Sequence, residues 1–167
     1  MEEKIINALK WLIPILNKNN IPYRIGGGFA SYVYGSKRPI NDIDISLSGE
    51  YFDIIVSETK NYITSGPKHY INEKWDCYTL SLNYEGQEMD ITDIDTLRMS
   101  NKEQTEWFQT KDDFRKFPNL IKIIEGVETS LIDPRDLLAY KKELADKNHQ
   151  YQMIDVLALE KYIYGKN

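Results

Sequence analysis

Residues 23–47, YRIGGGFASYVYGSKRPINDIDISL, determine how the rest of the chain is interpreted. The triplet Tyr23-Arg24-Ile25 predicts a short strand, and the glycines that follow predict a turn into a short helix over residues 29–34. A glycine turn at a helix start exposes backbone N–H groups, and the helix dipole adds positive potential there. Gly27 and Gly28 are therefore candidate phosphate-binding residues, although glycines in such a position can also serve the turn alone.

The second half of this stretch predicts a strand with one polar face. From residue 42 to residue 47, aspartate or serine alternates with isoleucine or leucine, which is the period of a strand that buries one side. Asp42 and Asp44 then lie on the same face, roughly 6 to 7 Å apart along the backbone. Their side chains can converge on one cation, but by itself an Asp-x-Asp pair is also common on solvated strands.

A later strand supplies a third carboxylate. Residues 78–84 alternate in the same way, Glu85-Gly86 predicts a hairpin turn, and residues 88–92 predict the returning strand with Asp90 on its polar face. Converging carboxylates repel one another in a partly apolar site, and a hard divalent cation such as Mg²⁺ relieves that repulsion. The sequence therefore predicts a metal site formed by Asp42, Asp44 and Asp90.

Two further aspartates repeat the same spacing close by. Asp93 and Asp95 follow Asp90, but they come where the strand is expected to end, so Asp90 is preferred and a contribution from the other two stays open.

A short basic segment lies between the glycines and the first aspartates. Ser36, Lys37 and Arg38 can meet phosphate oxygens, the arginine through a bidentate fork and the lysine as a point charge. The alternative interpretation is a solvated loop.

The flanking segments predict further helices and strands. Residues 3–18 place apolar side chains at helical spacing, and residues 50–63 predict a helix with Phe52, Ile55 and Val56 in the core. Between the strand regions, a loop is expected at Gly66-Pro67, and residues 96–119 are expected to be a polar, loop-rich connection.

The C-terminal third predicts two short strands and two helices. The strands are expected near residues 121–124 and 127–131, and Asp133-Pro134 predicts the start of a helix because aspartate caps and proline fits the first turn. A final helix is expected over about residues 149–163, with its apolar side formed by Ile154, Leu157, Ala158 and Ile163. The whole pattern is that of an α+β protein.

The composition sets broad limits. The 167 residues, 41% of them hydrophobic and 28% charged, suit one globular domain over residues 1–167. A single cysteine excludes an intramolecular disulfide framework, and the absence of a secretory signal or a long apolar run predicts a cytoplasmic protein with no membrane association. The formal charge of −5 disfavours a protein that grips long nucleic acid through phosphate contacts.

The run Gly27-Gly28-Phe29-Ala30-x4-Gly35-x2-Arg38-x3-Asp42-Ile43-Asp44-Ile45 resembles the signature of DNA polymerase β-like nucleotidyltransferases. Asp90 resembles their third carboxylate, which lies on a later strand of the same sheet. The segment PRDLLAYK, residues 134–141, is similar to a late helix of the small stand-alone members, in which a lysine approaches the nucleotide phosphates.

This resemblance implies a polymerase β-like fold: a mixed, twisted sheet flanked by helices, with a catalytic core at about residues 20–95 and C-terminal helices at about residues 133–164. It also implies transfer of a nucleoside monophosphate from a nucleoside triphosphate such as ATP, with release of pyrophosphate and with two Mg²⁺ or Mn²⁺ ions. The nucleotide-binding residues that it implies are Gly27, Gly28, Ser36, Lys37, Arg38 and Lys141.

The acceptor is not evident from these residues. The resemblance leaves open a small molecule such as an aminoglycoside or lincosamide antibiotic, a protein hydroxyl as in toxin–antitoxin systems, and the 3′ end of an RNA, of which the acidic balance makes the RNA least expected. Residues 66–77 and 96–130 are the expected specificity regions. A catalytically weak module that binds nucleotide or a protein partner is the alternative function, and a homodimer stays open.

Overall fold

The computed structural model describes residues 1–145 and 149–165. The described residues contain nine strands: β1 Tyr23–Ile25, β2 Asp42–Leu47, β3 Ile63–Ile71, β4 Trp75–Tyr84, β5 Gln87–Asp93, β6 Arg98–Ser100, β7 Trp107–Gln109, β8 Leu120–Ile124 and β9 Val127–Leu131. They form one mixed sheet in the order β7-β6-β4-β5-β2-β1-β9-β8, with β3 also paired to β4. The pairs β2–β5 and β1–β9 are parallel, and the others are antiparallel.

Helices complete the α+β fold that the sequence predicts. They are α1 Glu3–Lys18, α2 Gly27–Val33, α3 Phe52–Thr59, α4 Thr110–Asp113, α5 Pro134–Leu144 and α6 Gln152–Tyr164, with 3-10 turns at Gly49–Tyr51 and Lys60–Tyr62. Residues 146–148, inside the predicted C-terminal helical part, and residues 166–167 lie outside the described residues. No helix in the described part of the chain has the length and apolar character needed to span a bilayer.

The core lies on one face of the sheet. Ile43 and Ile45 of β2 and Met89 and Ile91 of β5 are buried there, together with the apolar side of α1. Each such side chain contributes about 1.5–3 kcal/mol to folding through its burial. Since strand side chains alternate, the polar residues that flank these four along β2 and β5 lie on the opposite face.

A tight hairpin fixes the position of β5. Tyr84 and Gln87 are cross-strand partners, and the two residues between them, Glu85 and Gly86, have φ angles of 50° and 87°. Positive φ at both central positions is the type I′ geometry that matches strand twist. The predicted hairpin is therefore confirmed, and it brings Ser81 directly opposite Asp90.

Two regions that were expected to be loops contain regular structure. Gly66 and Pro67 lie within β3, where the prediction of a loop is wrong. The side chains of β3 are mostly exposed and its pairing register shifts between Ser65 and Lys68, so no alternation of apolar residues marks it. Residues 96–119 contain β6, β7 and α4, which are three or four residues long and therefore too short to show a period.

The C-terminal helices agree with the prediction in position, but α6 differs from it in the face that it buries. The α5 helix begins as expected, with the Asp133 side chain accepting a hydrogen bond from the Arg135 N–H at 2.9 Å. In α6, the predicted apolar side is only partly turned inward: Ile163 packs against the core, but Ile154 and Leu157 are exposed, the latter by 61%. The inward face carries Asp155 instead, together with Gln152, Val156 and Leu159.

Candidate active site

The three predicted carboxylates lie on one face of the sheet. Asp44 of β2 and Asp90 of β5 are directly opposite each other in the parallel pair, and Asp42 lies two residues earlier on β2. Adjacent strands are about 4.8 Å apart, so the three side chains share one patch of the sheet surface. The Ser81 hydroxyl donates a 2.6 Å hydrogen bond to Asp90 Oδ1, which fixes that carboxylate.

The surroundings of these groups oppose their ionisation. Burial raises the pKa of Asp44 to about 7, with Asp42 and Asp90 adding to the rise and Lys141 and the Gly28 backbone N–H opposing it. The pKa of Asp42 is also raised, by burial and then by Asp90. Within the described residues, none of the three carboxylates forms a salt bridge, because no cationic side chain lies within 4.0 Å of its oxygens.

The β1–α2 turn is built against Asp44. Gly27 has a φ of +56°, and a Cβ at this position would lie 1.5 Å from Asp44 Oδ2. The Gly26 N–H also donates to the Asp44 carbonyl oxygen at 2.9 Å. Glycine is therefore required at position 27 for two reasons, the positive φ of the backbone and the close approach of the Asp44 carboxylate.

The donor set is the kind that a hard divalent cation prefers, namely clustered carboxylate oxygens without a compensating cation. In the described parts of the chain, however, no three His, Cys, Asp or Glu side chains are grouped tightly enough to hold a metal ion as they stand. Asp44 Oδ2 lies against the start of α2, and Asp90 accepts a hydrogen bond from Ser81. The residue types and the shared face fit a metal site, and a rearrangement of side chains would have to complete it.

A buried carboxylate organises the basic residues. Asp155 of α6 lies 2.8 Å from Arg38 Nη2, 2.8 Å from Lys141 Nζ and 2.6 Å from Ser36 Oγ, which donates to it. Burial alone would raise the pKa of Asp155, but Lys141, Ser36 and Arg38 outweigh burial and hold the pKa below its ordinary value. Lys141 also donates to the Gln152 side-chain oxygen at 2.9 Å.

The predicted nucleotide-binding residues are thus only partly together. Arg38 and Lys141 line a cavity of about 600 Å³ with Gly27 and Gly28, here named the basic cavity. Ser36 is buried beneath it against Asp155. Lys37 is exposed and is not part of the cavity lining.

A second cavity, of about 470 Å³, lies over the polar face of the sheet and is here named the sheet cavity. It shares Gly27, Asp44, Trp75 and Tyr140 with the basic cavity. Asp90 lines only the sheet cavity, whereas Asp42 lines only the basic cavity. The carboxylates therefore lie at the junction of two spaces that a pair of ligands could fill.

Sequence reasoning missed Asp155. It occurs in a helix among apolar residues, and the only signal was its spacing of three from Gln152, which places both on one helical face. The open question of Asp93 has a structural answer: its carboxylate faces the other side of the strand and accepts from the Gly49 N–H at 2.8 Å and the Thr96 hydroxyl at 2.7 Å. Asp95 is exposed.

Neither a protein-family model nor a curated protein matches the sequence. Solved structures do match in fold. The candidate nucleotidyltransferase TM1012 from Thermotoga maritima is 14% identical, with a TM-score of 0.67 over 99% of this chain and 96% of that one. Lincomycin-bound LnuA, a lincosamide antibiotic adenylyltransferase, is 12% identical, with a TM-score of 0.57 over 97% and 98%. ANT(2")-Ia in complex with adenylyl-2"-tobramycin is 11% identical, with a TM-score of 0.63 over 96% and 90%. The chain thus has the nucleotidyltransferase fold that the sequence predicts.

Proposed function

We propose that this protein is a metal-dependent nucleotidyltransferase that moves a nucleoside monophosphate from a nucleoside triphosphate to an acceptor hydroxyl. The observation that carries this proposal is the set of Asp42, Asp44 and Asp90, which share one face at the junction of two cavities and have no salt-bridge partner in the described residues. The shared fold with LnuA and ANT(2")-Ia supports the same reaction class, because LnuA is an adenylyltransferase and ANT(2")-Ia is in complex with an adenylyl compound, adenylyl-2"-tobramycin.

The basic cavity suits the triphosphate. Arg38 and Lys141 supply positive charge, and the turn at Gly27 and Gly28 lets a phosphate approach the backbone without meeting a side chain. Asp155 holds both cations by ion pairs, so they are oriented before the nucleotide arrives. Preorganised charge of this kind is the main way in which phosphoryl-transfer enzymes stabilise the transition state.

The chemistry follows from where the carboxylates lie. Mg²⁺ or Mn²⁺ ions held by Asp42, Asp44 and Asp90 would stabilise the charge on the attacking and departing oxygens. Asp90 lines the sheet cavity and would accept the proton of an acceptor hydroxyl bound there. That hydroxyl oxygen then bonds to the α-phosphorus, the bond from the α-phosphorus to the bridging oxygen breaks, and pyrophosphate leaves.

The test is incubation with each labelled nucleoside triphosphate, Mg²⁺ or Mn²⁺ and a cell extract, with pyrophosphate release and label transfer as readouts. Asp44→Asn and Asp90→Asn should lower turnover by at least about a hundredfold, since each removes a charge that acts at the reacting centre. Asp95→Asn, at an exposed position outside both cavities, is the matched control and should retain activity. Full activity of Asp44→Asn would refute the assignment.

The same experiment separates an enzyme from a binding module. Metal-dependent nucleotide binding without label transfer to any component of the extract would favour the module, which could act with a protein partner. Sensitivity of the labelled product to protease or nuclease identifies the acceptor class.

A further inference from the structure

The sheet cavity has walls from both regions in which the sequence predicts acceptor specificity. Lys68 and Trp75 belong to the first region and Thr110 and Phe114 to the second, while Tyr140 of α5 closes the side toward the basic cavity. Its volume of about 470 Å³ lies within the range of roughly 300–1,000 Å³ typical of small-molecule sites. The cavity is therefore sized for a small acceptor.

Arg24 is the unusual residue of this cavity. Its Cα partner on β2 is Ser46, so its side chain lies on the same face of the sheet as Asp44, and it is only 6% exposed. Its Nη1 donates to the Phe114 carbonyl oxygen at 2.9 Å. In residues 1–145 and 149–165, Arg24 forms no salt bridge, because no carboxylate oxygen lies within 4.0 Å of its guanidinium.

A buried cation without a counter-ion is costly, and a ligand anion would offset that cost. Burial and then Arg115, opposed by Asp136 and Tyr140, lower the pKa of Arg24 to about 10, so the guanidinium is still charged at neutral pH.

The other charges of the cavity point to the same sign of ligand. The acidic residues of its lining are Asp44 and Asp90, which the proposed function assigns to metal ions. Apart from these two, the charged lining residues are Arg24 and Lys68, both positive. A polycationic acceptor would therefore meet like charge, which acts against binding.

The shape of the lining adds a second requirement. Phe114 and Tyr140 pack edge to face with ring centroids 5.5 Å apart, and the ring centroid of Trp75 lies 6.1 Å from that of Tyr140. Aromatic walls of this kind favour a ligand with a ring, whether aromatic or a sugar with an apolar face.

We propose that the sheet cavity binds a small, ring-containing hydroxyl compound with an anionic group, a carboxylate or a phosphate, which Arg24 holds. This rests on the proposed function, because the hydroxyl of the compound is the acceptor. Its oxygen bonds to the α-phosphorus, its proton passes to Asp90, and pyrophosphate is the leaving group. The anionic group is unchanged by the reaction and serves only for recognition.

The test compares two matched ligand series by ligand-observed NMR in the presence of Mg²⁺ and α,β-methylene-ATP. One series is 3-hydroxybenzoate, 3-hydroxybenzyl alcohol and 3-hydroxybenzylamine, and the other is glucose 6-phosphate, glucose and glucosamine. The anionic member of at least one series should bind about tenfold or more tightly than its neutral and cationic partners, because it gains a charge-assisted contact. The two series distinguish carboxylate from phosphate recognition. Equal or tighter binding of the cations, or no binding by any member, would overturn the proposal.

Variants locate the effect. Arg24→Gln should abolish the preference for the anion, and Arg24→Lys should keep part of it, since lysine retains the charge but not the fork. Lys10→Gln, which removes an exposed charge on α1, is the control and should bind like the wild type. If Arg24→Gln does not fold, the wild-type series and Arg24→Lys still decide, because no preference for the anion in the wild type, or a preference in Arg24→Lys as large as that of the wild type, is inconsistent with the proposal.

Failure of this inference differs from failure of the proposed function. Nucleotidyl transfer to a neutral or cationic compound as efficient as transfer to the anion would leave the function standing and refute the anionic acceptor. Arg24-dependent anion binding without pyrophosphate release in any combination would support the cavity chemistry and count against the enzyme.

Discussion

The carboxyl group of Asp44 holds its proton more strongly in the folded protein than in the unfolded chain. Its pKa is about 7 in the folded state against an ordinary 3.8, chiefly because of burial and because of Asp42. A group with this shift weakens the fold as it ionises, and a bound cation would reverse that effect.

The metal-free protein should therefore lose stability as the pH rises from about 4 to about 7, since the folded state holds a proton in this window that the unfolded state lacks. Asp44→Asn should remove this slope and be more stable than the wild type above pH 7. Urea unfolding in a chelator at several pH values measures it, with the exposed Asp95→Asn as control. A wild type whose stability is flat or rises over the window would contradict the prediction.

Asp155 is predicted to be a positioning residue. Asp155→Asn leaves Lys141, which is only 2% exposed, without its charged partner, and should lower the free energy of unfolding by about 3–5 kcal/mol. Nucleotide affinity should fall as well, because Arg38 and Lys141 lose their shared anchor.

Glu160→Gln is the matched control for Asp155→Asn. Glu160 pairs with Lys142 at 2.6 Å on the half-exposed surface of the same helix pair, and its loss should cost less than about 1 kcal/mol. Urea unfolding and nucleotide titration measure both variants. Equal effects of the two substitutions would mean that Asp155 has no special role.

Among the elements, the β1–α2 turn is expected to be the most sensitive to substitution. Gly27→Ala combines a strained backbone with a collision against the Asp44 carboxylate, whereas Gly35→Ala, at φ +106°, meets no atom within 4 Å. Both substitutions should lower the free energy of unfolding by about 1–2 kcal/mol, because alanine is strained in a backbone conformation with positive φ. Only Gly27→Ala should also displace Asp44 and so abolish metal-dependent turnover, which pyrophosphate release can measure. Retained turnover in Gly27→Ala would show that the close packing at this turn is dispensable.

Elements also differ in how well the sequence predicts them. The polar face of β2 and β5 was predicted correctly because alternation is a local property of a strand. The inward face of α6 was not, because its exposed Ile154 and Leu157 look like core residues and its buried Asp155 looks like a surface residue. Short strands such as β6 lack enough residues for any period to appear.

At the scale of the whole molecule, the basic cavity joins the start of α2 to the C-terminal helices, since Gly28, Lys141 and Gln152 all line it. Binding of α,β-methylene-ATP with Mg²⁺ should therefore slow amide hydrogen exchange both in α2 and around the end of α5 and the start of α6. Exchange in α1 should not change, because α1 packs on the opposite face of the sheet. Protection of α2 alone would contradict a role for the C-terminal helices in nucleotide binding.

The assignment of residues 1–167 to one domain stays a prediction, and so do the roles of the individual site residues. The fold class is confirmed by the sheet and by its similarity to solved nucleotidyltransferase structures.

By itself, the sequence determined the two acidic strands, the glycine turn and the cap of α5, since each depends on neighbours a few residues away. The tertiary structure alone decided that Asp155 meets Ser36 across 119 positions, that Arg24 is buried beside a cavity, and that two cavities meet at Asp44. The physical reason is the separation along the chain over which each effect acts. The alternation of a strand and the capping of a helix depend only on residues a few positions apart. Ion pairing and the closure of a cavity, by contrast, depend on which distant segments pack together, and no local pattern records that.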